Sequence, residues 1–452
     1  MTLKIAIIGA GYSGIIVAAE LARLATQPIH ITLFEATSAP LGIAYSTKNP
    51  LHLLNVPTQK MSAFASDPNH FLNWVRSNRV SEQYTDVNAP DLGLQFMPRV
   101  LYGNYLLDIL NTTLHSANPH VQVEYQQAEV IGVQQEHARI VLQMAQGKNS
   151  AFDRVVLAVG NTLPAFKGTD NAQMINNPWD YTAIANIPAN SPIAIIGTGL
   201  TMIDTVISLV SHGHQATIYA ISRRGLLSQP HQYGSKPARL DVKTLPHSLR
   251  ALIHAVRQEA ATLLAQGGDW RSVMESLRHD TALLWQQLLL VDKKRFLRHL
   301  QPYWDTHRHR IAPDVAAYIE KVRQSGQLKL ITGRVVDTTP GAVKVKPRFA
   351  KDTVTLNAEW VINCSGFNPA YNQIQNPLVR AVLEQGLAQV DATGLGFLMA
   401  TDGALLDKAG HPSQQFFTLG TPCRGVYWEC IAVPDIRNQA LQLAERLLQK
   451  IS

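Results

Sequence analysis

Two glycine-rich turns, each set between a short apolar run and a helical pattern, hold the residues best placed to do chemistry. The first reads KIAIIGAGYSG, with Gly9, Gly11 and Gly14. The second reads PIAIIGTGLTM, with Gly197 and Gly199, and with Met202 in the third place. A turn without side chains lets backbone N–H groups approach a pyrophosphate, and the helix that follows points its positive end at it. Each turn therefore predicts one dinucleotide site. Two sites in one chain suit one carrier that receives electrons and another that delivers them, the layout of a flavin fed by a nicotinamide.

Residues that would select each nucleotide stand at the end of the next strand. HITLF runs to Glu35, 21 positions past Gly14, where a carboxylate can accept hydrogen bonds from an adenosine ribose. This first unit is expected to bind FAD. After the second turn, ATIYAI ends in Ser222, Arg223 and Arg224. Guanidinium groups there suit a 2′-phosphate through paired hydrogen bonds, so NADPH is expected rather than NADH. Met202, bulkier than the glycine it replaces, should hold its helix slightly farther from the strand.

These residues call for an α/β chain with two Rossmann-like dinucleotide-binding domains, the NADP domain inserted in the FAD domain and itself carrying a helical insert. Residues 1–165 read as the first part of the FAD-binding domain. It closes with RVVLAVG, an apolar strand whose terminal Gly160 returns backbone toward the nucleotide. Residues 185–345 read as the NAD(P)-binding domain. Within it, residues 246–325 carry the amphipathic patterns LRALIHAVRQEAATLLAQ, WRSVMESLRH and TALLWQQLLL, a helical insert expected to cap the substrate. Residues 360–452 read as the C-terminal part of the FAD domain. WVINCSG and QFFTLGTPCRG are its strands, and a last helix is opened by Pro434 and Asp435.

Bulk composition bounds the function classes. The chain has 452 residues, 46% of them hydrophobic, and a mean hydropathy of −0.04. No apolar run reaches the ~20 residues that cross a bilayer, and Gly9–Gly14 and Glu20 break up an N-terminus otherwise like a signal peptide. Cys364, Cys423 and Cys430 form no CxxC pair, which favours a reducing, cytoplasmic setting and argues against a redox disulfide. A net charge of +7 suits anionic ligands. With no DNA-binding motif and no aromatic platform, a small-molecule substrate is expected and a nucleic acid is not; the oligomeric state stays open. The densest basic stretch, Lys293 to Arg310, reads as a helix with Phe296, Leu297, Leu300 and Trp304 turned inward and its charges in water; steering of an acidic ligand is the other reading. His307 and His309 lack the spacing of a helical zinc pair, so no metal is expected.

The doubled nucleotide fold together with LHLLNVPTQKMSAFASDPNHFLNWV resembles the flavin-dependent monooxygenases that oxygenate nitrogen and sulfur, among them flavin-containing monooxygenases and amino-acid N-hydroxylases. Over nearly the whole chain, GIAYST, NVPTQKMSAF, GTGLTMID, ISRRGLL, FLRH, HRHR, NCSGFNP and WECIAVPDIR resemble a bacterial family of FAD/NAD(P)-binding proteins. The resemblance implies that Asn55 sits beside the flavin ring and the nicotinamide, where an amide that both donates and accepts could orient either. It implies cofactor contacts for Ser46, Gln59 and Lys60. It also brings Trp428, Glu429 and Asp435 toward the flavin, at the N-terminal end of the last helix.

Two positions depart from that pattern. The signature FxGxxxH keeps Phe166 and Gly168 but has Ala172 in the histidine place, and the GD pair that holds a ribityl chain reads Gly420–Thr421. The expected activity is an NADPH-dependent FAD oxidoreductase. Monooxygenation through a C4a-hydroperoxyflavin, on a nucleophilic nitrogen, sulfur or carbon, is the leading reading. An oxidase or reductase serving a quinone, small molecule or protein stays open, as does a flavin-binding interaction protein.

Overall fold

The computed structural model describes residues 2–38, 40–78, 82–84, 91–136, 139–161, 173–232, 238, 241–367 and 370–449. The segment bearing Phe166, Gly168 and Ala172 lies outside the described residues.

Two mainly parallel sheets frame the molecule. In spatial order the first joins Ala404–Leu406, Pro412–Thr418, Arg154–Leu157, Leu3–Ile8, Ile29–Glu35 and Val121–Gln127. Its central strand, Leu3–Ile8, has Ile5 to Ile8 buried, as a strand covered on both faces requires. The second joins Val354–Asn357, Ala342–Pro347, Leu328–Thr339, Ile218–Ser222, Ile193–Ile196, Trp360–Asn363 and Met174–Ile175. Residues 174–363 thus interrupt a first unit that supplies strands from both ends of the chain. A three-stranded antiparallel sheet, Val130–Glu136, Arg139–Met144 and Asn149–Phe152, leads into the first unit's Arg154–Leu157 strand.

The expected return to the FAD domain at residue 360 needs correction. Trp360–Asn363 pairs in parallel with Ile193–Ile196, Trp360 opposite Ile193, and so completes the second sheet. It is the counterpart of Arg154–Leu157, which pairs with Leu3–Ile8 in the first. Both strands are short, apolar and end in glycine, so the sequence pattern could not tell their sheets apart.

The same counterpart relation explains the leading glycine of each fingerprint. Gly9 has φ +108° and Gly197 has φ +115°, a region L side chains rarely adopt. A Cβ on Gly9 would lie 2.4 Å from the Ala158 carbonyl oxygen, and one on Gly197 would lie 2.2 Å from that of Cys364. In each unit the closing strand therefore presses its backbone against the turn, and only glycine fits. In the third place, a Cβ on Gly14 would fall 1.9 Å from Gly9 O, whereas Met202 is accommodated in the core of the second unit with Ile195 and Ile203.

The helical insert is shorter than expected. Helices Leu249–Ala265, Trp270–Ser276, Thr281–Gln287, Leu290–His299 and Gln301–Arg308 form it. The next helix, Pro313–Gln324, turns Val315, Ile319 and Val322 into the second unit's core and belongs to that unit. Around Trp285 the insert closes onto the C-terminal part of the first unit. Trp285 stacks on Trp428 with ring centroids 5.1 Å apart, and Phe296 meets both edge-on. Phe296, Leu297, Leu300 and Trp304 do pack inward. The single basic helix is in fact two, broken at Leu300 ahead of Pro302, and its last arginines, Arg308 and Arg310, are buried rather than solvated. Among the described residues no helix is long and apolar enough to cross a membrane.

Candidate active site

A cavity of about 820 Å³ lies where the two nucleotide units and the insert meet. Gly9, Gly11 and Glu35 line it on the first unit, and Leu200, Thr201 and Asp204 line it at the start of the second fingerprint's helix. Asn55, Gln59 and Lys60 line it on the loop between, with Gly160 on the closing strand's turn. The insert contributes Arg271, Glu275, Arg278 and Arg308.

The first turn is built to receive a diphosphate. Helix Tyr12–Leu24 starts at Gly11 with no side-chain cap and no acidic residue in its first turn, so its leading N–H groups remain available at the cavity wall. A Cβ on Gly11 would meet nothing closer than 3.7 Å, and one on Gly160, at φ +65°, nothing within 4 Å. Glu35 caps the turn itself. Its Oε2 accepts from the Ala10 N–H at 2.9 Å, and its Oε1 accepts from the Thr37 N–H and hydroxyl, each at 3.1 Å. A carboxylate has lone pairs beyond these, so ribose recognition remains open to it. Helix Leu200–Ser211 likewise begins uncapped at Gly199, with no acidic residue in its first turn.

A buried polar seam fixes the two units against each other. Arg99 Nη1 meets Asp204 Oδ2 at 2.8 Å, and Arg99 Nε donates to the Leu53 carbonyl at 3.2 Å. One residue away, His52 Nε2 lies 2.9 Å from both the Asp204 carbonyl and the Ser208 hydroxyl. The loop carrying Asn55 is thereby tied to the second fingerprint's helix on one side. On the other, His231 Nε2 donates to the Asn55 carbonyl at 3.0 Å. Burial, then the Arg310 charge, pulls His231 down to about 4, so it stays neutral and keeps the role of donor. Asn55 lines the cavity, and its side-chain amide makes no hydrogen bond among the described residues.

The insert wall is densely charged. Glu275 pairs with Arg310 and lies 3.6 Å from Lys60; burial alone would raise its carboxyl, but Arg310 and Lys60 hold it below the usual range. His309 Nε2 lies 3.2 Å from Glu429 Oε2, whose other oxygen accepts from Trp304 Nε1 at 2.6 Å. Burial opposes both charges of that pair, yet each stabilises the other: His309 is raised, and Glu429 is held down to about 2. Next to them, burial raises Asp435, against the pull of Arg278 and Arg308.

Residues 6–162 match the family model described as FAD-NAD(P)-binding. That match spans the N-terminal part of the first unit and includes its fingerprint turn. An Escherichia coli K12 relative, "Uncharacterized protein YdhS", is 28% identical over 219 residues, which is 46% of this chain and only 40% of that protein. Among solved structures, the ornithine N-hydroxylase of Kutzneria sp. 744 is similar with a TM-score of 0.67, 11% identity and 99% of each chain covered. The bacillithiol disulfide reductase of Staphylococcus aureus is similar with a TM-score of 0.59, 12% identity and 98% of each chain covered. At these identities the likeness is one of fold.

Of the residues singled out in the sequence, the fold brings Gly9, Gly11, Glu35, Asn55, Gln59, Lys60 and Gly160 to one cavity. Gly14 and Gly197 act through backbone packing at their turns. Ser46 is exposed and does not line the cavity; its hydroxyl donates to the Ile43 carbonyl at 3.4 Å. Trp428 is buried in the insert's aromatic core, and Asp435 lies in the first turn of helix Val433–Leu448. Arg223 is exposed. Arg224 reaches over the insert, donating to the His299 carbonyl at 3.2 Å with its guanidinium 5.5 Å above Tyr303. Sequence reasoning missed Arg99, Asp204, His231, Arg278 and Arg308 as cavity residues and read His309 only as a rejected metal ligand. Asp204 sits inside GTGLTMID and His309 inside HRHR, so the motifs were visible but their partners Arg99 and Glu429, more than 100 positions away, were not.

Proposed function

We propose that the chain is an FAD-dependent NADPH oxidoreductase that oxygenates a nucleophilic nitrogen, sulfur or carbon of a small molecule. The observation that carries this reading is the Asn55 amide. Asn55 lines one cavity shared by both fingerprints; His231 holds its carbonyl, and Arg99 and His52 tie the preceding residues of its loop to the second unit. FAD supplies the two-electron and oxygen chemistry when bound; the chain binds, orients and excludes water. The uncapped turn at Gly11 and the Glu35 carboxylate would hold FAD, and the turn at Gly199 with Arg223 would hold NADPH. Asn55 would orient the nicotinamide by donating and accepting at once. His309, kept protonated by Glu429, would hold a proton at Nε2 at the cavity wall.

Transfer of electrons from NADPH to a small acceptor is the second reading, favoured by the shared architecture with a bacillithiol disulfide reductase. It would proceed without a dithiol of this chain, since Cys364, Cys423 and Cys430 are buried outside the cavity lining and burial raises all three thiols. The test is to supply FAD-loaded protein with NADPH, ¹⁸O₂ and a panel of amines, thiols and ketones. Oxygenation requires ¹⁸O in a product and a falling hydrogen peroxide yield. If every compound leaves all electrons in peroxide or in an added acceptor, the chain is an oxidase or reductase.

A further inference from the structure

We propose that Arg278 and Arg308 form a seat for an acid group, so that the small molecule acted on carries a carboxylate or phosphate besides its reacting atom. The proposal rests on the reading of the cavity as a substrate site. Both arginines line it. Arg308 is only 9% exposed, and its Nε is buried without a hydrogen-bond partner. Neither arginine closes an ion pair within 4 Å among the described residues, although five other charged pairs at or beside the same cavity do: Arg99–Asp204, Arg271–Asp269, Lys60–Glu275, Arg310–Glu275 and His309–Glu429. With those paired, the nearby carboxylate that feels both arginines is Asp435, whose Oδ2 is itself buried and makes no hydrogen bond.

A guanidinium is a planar fork of five N–H donors that cannot be neutralised by losing a proton. Two of them on one cavity wall, Arg308 nine-tenths buried, are costly unless an acceptor meets them. A carboxylate or a phosphate monoester matches that geometry through parallel, charge-assisted hydrogen bonds. The place of the pair favours a substrate over a dinucleotide phosphate. Asp435 opens helix Val433–Leu448, and the Tyr12 hydroxyl, just behind the first fingerprint, donates to the Val433 carbonyl at 3.3 Å. Arg278 and Arg308 line the cavity together with Val433 and Ile436 of that helix, whereas Arg223 and Arg224 follow the second unit's Ile218–Ser222 strand and are not among the lining residues. The sequence reading places Arg308 in a basic stretch with its charges in water, steering of an acidic ligand being the other reading, and gives Arg278 no role.

Isothermal titration of the FAD-loaded full chain tests the seat without turnover. The probes are glutarate, inorganic phosphate, neutral glutaramide and NADPH, with wild type, Arg278→Met, Arg308→Met and Arg308→Lys. We expect glutarate or phosphate to bind wild type and glutaramide not to, the tighter acid naming the head group. Each methionine variant should weaken that acid at least about tenfold, Arg308→Lys less so, with NADPH affinity unchanged. Flavin absorbance of each variant reports that it is folded. Absence of acid binding to wild type, or methionine variants that weaken NADPH and spare the acid, overturns the proposal. Oxygenation of neutral amines with no acid bound would sink the seat and leave the proposed activity standing. Acid binding without oxygenation would do the reverse.

Discussion

His231 donates its Nε2–H to the main-chain carbonyl of Asn55 at 3.0 Å, so the second unit holds the loop of the first that faces the cavity. His231 is itself placed by its N–H, which donates to Ile311 O at 2.9 Å, next to the buried arginines of the insert. Three parts of the chain thereby converge on one amide.

Replacing that histidine should loosen the loop. His231→Leu is expected to cost about 1 kcal/mol of stability for the lost hydrogen bond, to retain FAD, and to divert NADPH electrons from product to peroxide. The pH dependence has a definite sign. The folded pKa of about 4 lies below the ordinary 6.5, so as pH falls between these values the unfolded chain takes up the proton first and stability is lost. In His231→Leu that loss should disappear. Melting temperatures from pH 4 to 7 measure it, and identical slopes in both proteins would refute a neutral His231.

Asn55→Ala tests the amide directly. Its loss should leave FAD binding and NADPH consumption in place while peroxide replaces product. Peroxide and product assays at matched NADPH turnover separate this from a general loss of rate. A variant with unchanged coupling would remove Asn55 from the active site.

Arg223→Ala should reduce the preference for NADPH over NADH at least about tenfold, since a charged hydrogen bond contributes ~1.5–3 kcal/mol. Arg224→Ala should also disturb the insert, because Arg224 is tied to the His299 carbonyl. Dissociation constants for both coenzymes decide it: equal losses for each would assign the arginines to the fold.

The nucleotide turns were legible because their chemistry is local. Gly9 to Glu35 lies within one strand–turn–helix–strand unit, and spacing alone carries it. The site between the units was not. Arg99 and Asp204 are 105 positions apart, and His309 meets Glu429 across 120, so no periodicity in one sequence pairs them. The strand Trp360–Asn363 was misassigned for a related reason: a short buried parallel strand is apolar in either sheet, and only its neighbours say which. The basic run misled at its end, where helical amphipathicity places charge in water but the chain, once past Pro302, carries Arg308 and Arg310 into a cavity.

The His309–Glu429 pair should leave its own mark on stability. His309 is raised above 6.5, so its contribution is whole below pH 6.5 and is lost as pH rises through the raised value. Glu429 is held down to about 2 from 4.5, so its contribution is whole above pH 4.5 and is lost as pH falls toward 2. The pair therefore stabilises most between pH 4.5 and 6.5. His309→Gln keeps a hydrogen-bonding side chain without the charge, and Glu429→Gln does the same for its partner. The difference in melting temperature between wild type and His309→Gln should peak in that window and shrink as pH rises above it. A difference that stays constant from pH 5 to 9 would mean that His309 is neutral and serves packing alone. The same titration bears on function, because the proton lost at high pH is the one proposed to stand at the cavity wall. Product formation should then fall over the same rise in pH as the stability difference, in wild type and not in His309→Gln.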